Sequence, residues 1–543
     1  MTSASSWIPE NPESTEWDIV VVGTGVGGST VGVSLAKQGH RVLFIEKGNF
    51  LFGDYDRGDG TKPIQTDNSP EARLRTGWWP NQISGQYEGR ELTLFAPLGC
   101  GTGGSSSLYA AQLERLSPLD FECGKTWGSV PGASIPERWP ISYDELAPYY
   151  RKAESLYRVC GTEDPLQPDP EANLAEPPPL SDRDAHLFNS FEELGLHPFR
   201  AHVGCRFVEG CGECGGSLCP NACKSDAGQV ALVPAVMQHG AKILPNCEVI
   251  KLEADDTRVT GVRFRRGDEE SVVRGKIVIV AASAYMTPTL LLKSASDQWP
   301  NGLANSSGLV GKNLMMHTGD FIAIRAGKSL SGEGPKKALA LNDFYTDKGR
   351  KLGTLQSVGI QVAPGYVLYH LRNRVERERT WYLQLARPFF RIISYIAAAF
   401  YKSASVFSSI VEDLPYEHNQ IRYDPDAEDG MTFEYHYSDE LLERNRLFRK
   451  CVADTIGKRH STQVLNTDDN LNFGHVCGTT RFGDDPQKSV LDRNNRAHDV
   501  ENLYVVDASF FPTSGGNNPS LTIAANALRV ADEIGKELGS SAR

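Results

Sequence analysis

The first ordered part of the chain shows the hydrophobic pattern of a β-α-β unit. Residues 19–22, IVVV, form an uninterrupted apolar run, which is typical of a strand buried on both faces. The stretch STVGVSLAKQGH at 29–40 has helical character, and a second apolar run, RVLFIE at 41–46, follows it. This order predicts two strands joined by a crossover helix.

Further strands and a long helix are predicted later in the chain. The runs CEVIKLEA at 247–254, VTGVRFRR at 259–266 and VRGKIVIVAAS at 273–283 predict a β-meander followed by a buried central strand. Near the end, NLYVVDAS at 502–509 reads as a strand and LTIAANALRVADEIGKEL at 521–538 as a helix. The Gly-, Asp- and Pro-rich segment 53–91 is expected to be a loop.

One apolar stretch stands out in the middle of the chain. Residues 388–401, PFFRIISYIAAAFY, are too few for a membrane-spanning helix, which needs about 18 apolar residues. We expect a buried or pocket-lining helix, with an element lying on a membrane surface as the alternative.

Composition narrows the class of protein. The chain has 543 residues, of which 40% are hydrophobic and 23% charged, as in a globular protein. The net charge of −12 argues against nucleic-acid binding, which normally requires a basic excess. The first residues lack the basic and apolar regions of a secretory signal, so a cytoplasmic location without a transmembrane segment is expected.

A cysteine-dense module raises the question of a metal. Its spacing is C-x5-C-x2-C-x4-C-x3-C, formed by Cys205, Cys211, Cys214, Cys219 and Cys223. Closely spaced thiolates can ligate an iron–sulfur cluster or zinc, and they can also form disulfides or stay free as structural thiols. The odd total of 11 cysteines fits a reducing compartment.

A glycine motif predicts dinucleotide binding. Gly23-x-Gly25-x-x-Gly28 follows the first strand directly and opens the helix, and Glu46 ends the second strand. The glycines allow a tight turn, the approach of a pyrophosphate and close packing of helix on strand, while the acid can accept from ribose hydroxyls. This motif alone does not separate FAD from NAD.

Five segments together carry a resemblance to a known family. They are GTGVGG at 23–28 with Glu46, GCGTGGSSS at 99–107, ASAYMTPTLLLKS at 282–294 with SSGLVGKNLMMH at 306–317, GHVCGTTRFG at 474–483, and NLYVVDASFFPTSGGNNPSLTIAANALR at 502–529. In this order and over nearly the whole chain, they resemble the glucose–methanol–choline (GMC) flavoprotein oxidoreductases. The resemblance implies oxidation of an alcohol by hydride transfer to N5 of FAD.

The resemblance also implies the fold class and its segments. That fold is α/β: a Rossmann-like FAD-binding domain of discontinuous segments, with an inserted α+β substrate-binding domain built on an antiparallel sheet. The expected segments are a polar tail at 1–16, FAD-binding parts at 17–160, 226–316 and 466–543, a loop and Cys-rich module at 161–225, and the substrate-binding domain at 317–465.

Two residues match the family's catalytic positions. His475, in GHVCGT, matches the catalytic histidine, and a histidine suits removal of the hydroxyl proton as hydride leaves. Asn518, in NNPS, matches the second active-site position, where its amide could orient the substrate oxygen and stabilise alkoxide charge.

Other residues are assigned to the cofactor or the substrate by the same resemblance. The cofactor-binding positions are Gly101, Gly103, Gly104, Ser105, Asp507, Ala508, Pro519 and Leu521. Tyr109 is a candidate substrate contact and departs from the Asn or His common in the family. Residues 103–115 contain no histidine, so FAD is expected to bind non-covalently. Glu412 corresponds to a substrate-domain acid of some members, with a solvated surface acid as the alternative.

These observations lead to one principal function and two alternatives. We expect an FAD-dependent dehydrogenase or oxidase acting on a small polar alcohol, such as a sugar, an amino-sugar or another natural product. The alternatives are oxidation of a sterol or long-chain alcohol, with residues 388–401 lining a greasy pocket, and a non-catalytic flavin or iron–sulfur electron-transfer subunit. The sequence leaves oxygen, a quinone and a redox protein open as the electron acceptor.

Overall fold

The computed structural model describes most of the chain. The described residues are 7–51, 68–209, 211–219, 221–327, 330–359, 364, 365, 367, 368, 371, 375, 381–401, 403–466 and 470–541. Residues 1–6 of the expected polar tail and residues 52–67 of the expected loop lie outside them.

The strands of the described residues fall into three main sheets and one short hairpin. In chain order they are β1 Glu16–Val22, β2 Val42–Ile45, β3 Ile83–Tyr87, β4 Arg90–Leu94, β5 Phe199–Arg200, β6 Lys242–Leu244, β7 Glu248–Ala254, β8 Val259–Arg266, β9 Glu269–Val280, β10 Phe321–Arg325, β11 Leu339–Leu341, β12 Thr346–Asp347, β13 Arg350–Lys351, β14 Gly353–Ser357, β15 Ala404–Val411, β16 Gln420–Tyr423, β17 Met431–Tyr435, β18 Ser461–Val464 and β19 Leu503–Val505.

The α-helices of the described residues cover the sheets and fill the connections. They are α1 Val26–Lys37, α2 Pro70–Arg75, α3 Pro118–Phe121, α4 Cys123–Trp127, α5 Tyr143–Leu156, α6 Asp182–Glu193, α7 Val233–Gln238, α8 Ser283–Lys293, α9 Trp381–Ala386, α10 Phe390–Tyr401, α11 Asp439–Thr455 and α12 Ser520–Ser541.

A seven-stranded sheet contains the predicted β-α-β unit. Its order is β6-β2-β1-β9-β8-β7, with β19 paired to β9. Val22 at the end of β1 pairs in parallel with Ile45 of β2 and with Val280 of β9, and all three side chains are buried. β7, β8 and β9 run antiparallel, which confirms the predicted meander. Helices α1 and α12 pack against each other, and together they bring the first glycine motif close to the C-terminal block.

The second sheet has six strands in the order β18-β10-β15-β14-β11-β5. Its described pairs are antiparallel, including β14 with β15. A separate apolar core packs on it and includes Phe407 of β15 and Phe448 of α11. The mixed α/β architecture with an antiparallel sheet is the one the sequence predicted. The exact segment boundaries stay predictions, and β5 of the expected Cys-rich segment joins this second sheet.

The third sheet corrects the expected loop at 53–91. It has the order β16-β17-β3-β4, and the β3–β4 hairpin lies within residues 83–94. β3 pairs in parallel with β17, so that Ser84 faces Thr432. The loop prediction is therefore wrong for the second half of that segment, because the hairpin is completed by a strand far away along the chain.

The stretch 388–401 is helical as predicted, but it is not buried. Helix α10 turns Phe390 inward at 3% exposure, while Ile392, Tyr395 and Ile396 are 59%, 68% and 64% exposed. The prediction of a buried helix is thus wrong for most of its apolar side chains. Among the described residues, no helix combines the length and the apolar character needed to cross a membrane.

Candidate active site

The glycine motif lies where β1 passes into α1. Gly23 has φ +92°, and a Cβ there would lie 2.4 Å from the carbonyl oxygen of Ala281. A Cβ on Gly28 would lie 2.2 Å from the carbonyl oxygen of Gly23, so this glycine allows the helix to pack close to the strand. A Cβ on Gly25, in contrast, would meet no atom of the described chain within 4 Å. The backbone at Gly25 is therefore open to a ligand.

Gly25 opens into one long cavity that also contains both candidate catalytic residues. The predicted site residues that line it are Gly23, Gly25, Glu46, Gly104, Ser105, Tyr109, His475, Asp507, Ala508, Asn518 and Pro519. Its described lining does not include Gly28, Gly101, Gly103, Leu521, Glu412 or the five cysteines of the module. The motifs at 23–28, 99–107, 474–483 and 502–529, distant in sequence, thus meet at one site.

Glu46 connects the loops at one end of the cavity. One carboxylate oxygen accepts from the backbone N–H and hydroxyl of Thr24, at 3.1 and 2.6 Å. The other accepts from the N–H groups of Gly48 and Gly101, at 2.9 and 3.1 Å. The carboxylate therefore fixes the glycine loops relative to each other, and its expected contact with a ribose stays a prediction.

Asp507 has a similar role at the junction of β19 and the C-terminal block. Its carboxylate accepts from the backbone N–H groups of Ser283 and Ser509, at 3.0 and 2.9 Å, and from the hydroxyl of Thr287. Burial raises the pKa of Asp507. Asp507 therefore joins the start of α8 to the C-terminal block. Asn518 lies in the same block, eleven positions after Asp507.

His475 is oriented by a second histidine, His317, that sequence reasoning did not single out. The Nδ1 atoms of the two rings are 3.0 Å apart, and Nε2 of His317 lies 2.8 Å from the carbonyl oxygen of Gly515. A carbonyl only accepts, so Nε2 of His317 carries the proton and its Nδ1 carries a lone pair. Nδ1 of His475 must then donate to that lone pair. This leaves the lone pair of His475 on Nε2, the nitrogen that can accept a proton from a substrate.

Electrostatics keep both rings neutral. Burial, with a smaller contribution from the neighbouring His317, lowers the pKa of His475 to about 3. Burial likewise lowers the pKa of His317 to about 4. A neutral imidazole with a directed lone pair is the form that acts as a general base.

Asn518 lies at the N-terminal end of α12. Its side-chain nitrogen donates to the side-chain oxygen of Gln356 in β14, at 3.0 Å. An amide nitrogen has two protons, so the second N–H can reach a substrate oxygen in the cavity. Gln356 is 2% exposed and was not predicted; no local motif marks it, because it comes from the other sheet.

Glu412 is buried inside the protein, away from the surface where the alternative interpretation placed it. Its side chain is fully buried, so the alternative of a solvated acid is wrong. It forms an ion pair with Lys351 at 2.5 Å and accepts from the backbone N–H of Gly515 at 3.2 Å. Glu412 is therefore linked to the histidine pair through Gly515, and its expected substrate contact stays a prediction without support from the cavity lining.

Tyr109 and the cysteine module lie next to each other. The hydroxyl of Tyr109 donates to the carbonyl oxygen of Ser225 at 2.6 Å, which holds the ring at the cavity wall. The sulfur atoms of Cys205 and Cys211 are 3.6 Å apart, and among the described residues no disulfide involves any of the five cysteines. Within the described ranges, no group of three or more His, Cys, Asp or Glu side chains is placed to hold a metal ion. The interpretations of this module as a cluster site, a zinc site or a group of structural thiols stay predictions.

Comparison with known proteins identifies the family. Two family models, both described as GMC oxidoreductase, match residues 17–319 and 414–527. The chain is a GMC oxidoreductase. The predicted family and fold class are confirmed, and this GMC oxidoreductase is an FAD-dependent enzyme that acts on CH–OH donors.

Relatives span the whole chain of this GMC oxidoreductase. It is 31% identical to 2-methyl-1,2-propanediol dehydrogenase of Mycolicibacterium austroafricanum, covering 96% of this chain and 95% of the relative. It is 28% identical to paromamine 6'-oxidase of Streptomyces fradiae, covering 96% of this chain and 92% of the relative. A solved structure of the Aspergillus oryzae formate oxidase, a protein with FAD, superposes with a TM-score of 0.64 at 17% identity and covers 97% of this chain and 99% of its own.

The cavity of this GMC oxidoreductase fits FAD. The Cβ position of Gly25 is open at the start of α1, where backbone N–H groups can meet a pyrophosphate. The cavity continues from there to the N-terminus of α12 and to His475, so one long ligand can reach from the glycine motif to the candidate base.

Proposed function

We propose that this enzyme oxidises a hydroxyl group of a small polar alcohol of the polyol or amino-sugar class. FAD is held non-covalently by the Gly23–Gly28 loop, by Gly104 and Ser105, and by the start of α12. The observation that carries the proposal is the hydrogen-bond chain from Gly515 through His317 to His475, because it leaves a neutral base in the cavity. The named substrates of two relatives, a diol and paromamine, support the substrate class.

His475 and Asn518 have different roles in the proposed reaction. Nε2 of His475 takes the hydroxyl proton, and the second N–H of Asn518 donates to the substrate oxygen as negative charge develops on it. FAD, when bound, would supply the redox chemistry by accepting the hydride of the carbinol carbon. One proton and one hydride leave the alcohol, and an aldehyde or ketone remains.

A substrate panel tests the proposed class. We expect that 2-methyl-1,2-propanediol, paromamine or related polar alcohols bleach the flavin absorbance of the purified enzyme without air, while cholesterol does not. Simple sugars complete the panel, and enzyme mixed with buffer alone is the control. Bleaching by cholesterol alone would contradict the polar class. The described lining of the cavity contains none of residues 388–401, and this supports the polar class over the sterol alternative.

A second prediction concerns His317 as a positioning residue. His317→Leu should lower kcat by about 10–100-fold, since His475 loses the partner that fixes its ring and tautomer. KM should change much less. His317→Gln keeps an amide that can both donate and accept, so we expect partial recovery. The acid limb of the kcat/KM profile should also move to higher pH, because His317 lowers the pKa of His475.

The control for this experiment is another buried histidine. His460 bonds to the hydroxyl of Ser190 at 2.6 Å and lies outside the described cavity lining. His460→Gln should leave kcat and the pH profile unchanged. An equal loss in both variants, or a His317→Leu enzyme with normal kcat, would contradict the positioning role.

A further inference from the structure

Exposed apolar side chains are concentrated at one place on the described surface. Of the thirteen large hydrophobic residues that are exposed, seven lie within residues 381–396. These seven form the apolar stripe and are Trp381, Leu385, Phe389, Ile392, Ile393, Tyr395 and Ile396, between 38% and 74% exposed. Contiguous exposure of this kind normally marks an interaction surface.

The spacing places most of the stripe on one face of two consecutive helices. Trp381, Leu385 and Phe389 follow each other at four-residue steps, and the series continues with Ile393 and Ile396. Phe390 and Ser394 of α10 are 3% and 1% exposed, so the opposite face packs on the protein. The apolar face therefore points outward, the reverse of the usual arrangement in a soluble helix.

The charge of this segment differs from that of the whole chain. Residues 380–402 contain Arg387, Arg391 and Lys402 and no acidic residue, although the chain has a net charge of −12. Arg387 and Arg391 are exposed and share one flank of the helices, beside the apolar stripe. Exposed Trp and Tyr, aliphatic side chains and flanking cations are the combination typical of helices that lie in a membrane interface.

We propose that the apolar stripe of α9 and α10 docks this enzyme on the surface of an anionic lipid membrane. The side chains of the stripe enter the boundary between headgroups and acyl chains, and the arginines meet anionic headgroups. A second copy of the chain fits less well. A two-fold contact through the stripe would gather the flanking arginines of both copies at one interface, and residues 380–402 bring no acidic residue to balance their charge.

The stripe is also connected to the active site. The segment 358–403 joins β14 to β15, and β14 carries Gln356, which holds Asn518. The docking element is thus an insertion between two paired strands of the six-stranded sheet.

Vesicle flotation of the FAD-loaded enzyme tests the proposal. We expect the enzyme to float with vesicles of phosphatidylcholine and phosphatidylserine, less with phosphatidylcholine alone, and less again in high salt. The triple variant Trp381→Ser, Phe389→Ser, Ile396→Ser should lower vesicle affinity by at least about tenfold per removed side chain. Arg387→Gln with Arg391→Gln should lower it by about fivefold for each charge and only on the anionic vesicles.

The controls separate docking from folding and from other partners. Met237→Ser removes an apolar side chain that is 53% exposed elsewhere, so it should float like the unaltered enzyme. All variants should keep their FAD and their turnover of a soluble alcohol. Absence of flotation would overturn the proposal. A stripe-dependent dimer without flotation would instead assign the stripe to a second copy, and a non-floating monomer would point to another protein.

Discussion

Replacing His475 with alanine is expected to slow substrate oxidation by at least about a hundredfold, the usual scale for a positioned acid–base group. His475 is the only histidine in the described lining of the cavity, and Nδ1 is committed to His317. The variant therefore loses the lone pair on Nε2 that receives the hydroxyl proton. The measurement is the rate at which saturating substrate bleaches the flavin in a stopped-flow instrument without air.

A slower rate identifies the base only if the cofactor site survives the substitution. The His475→Ala enzyme should keep the flavin absorbance and the FAD-to-protein ratio of the unaltered enzyme. His498→Ala is the matched control, because His498 bonds to Ser489 at 2.9 Å outside the described cavity lining. Flavin reduction at the normal rate in His475→Ala would contradict the assignment of His475 as the base. It would favour a flavin-carrying subunit that does not itself oxidise alcohols.

The sequence predicts the parts of this molecule that depend on local pattern. The β1-α1-β2 unit is predicted because its two buried strands and the glycines between them lie within thirty residues. The meander of β7 to β9 is predicted for the same reason, since its strands follow one another directly. The β3–β4 hairpin was not predicted because its strands are half-exposed and contain few β-branched residues. It depends on β17, more than 330 residues away, and no local pattern reports such pairing.

The same limit applies to the active site. His475 and Asn518 are found through their motifs, but their partners come from other elements. His317 is 158 residues from His475, and Gln356 is 162 residues from Asn518. Residues 388–401 show a different limit. Their composition predicts a helix, yet which way its apolar face points depends on what the helix packs against.

Replacing Gly25 with valine should weaken the binding of FAD while leaving the fold intact. Gly25 has φ −67° and ψ −167°, an extended conformation that valine adopts without strain. Its Cβ would meet no atom of the described chain within 4 Å, so a side chain can begin there without a clash at Cβ. The added methyl groups would instead fill the space where the pyrophosphate approaches the backbone. Losing one charge-assisted hydrogen bond of about 1.5–3 kcal/mol weakens binding by about 10–150-fold.

The measurement is the dissociation constant of FAD, obtained by titrating apoprotein and following flavin fluorescence. The melting temperature of the variant without FAD should equal that of unaltered apoprotein, whereas the rise in melting temperature on adding FAD should shrink. Gly539→Val near the end of α12 is the control, since its Cβ also meets no described atom within 4 Å but lies far from the cavity lining. Normal FAD affinity in Gly25→Val would mean that the phosphates do not approach this loop. The dinucleotide site would then have to lie elsewhere in the cavity, although the strand, turn and helix of the motif are all present.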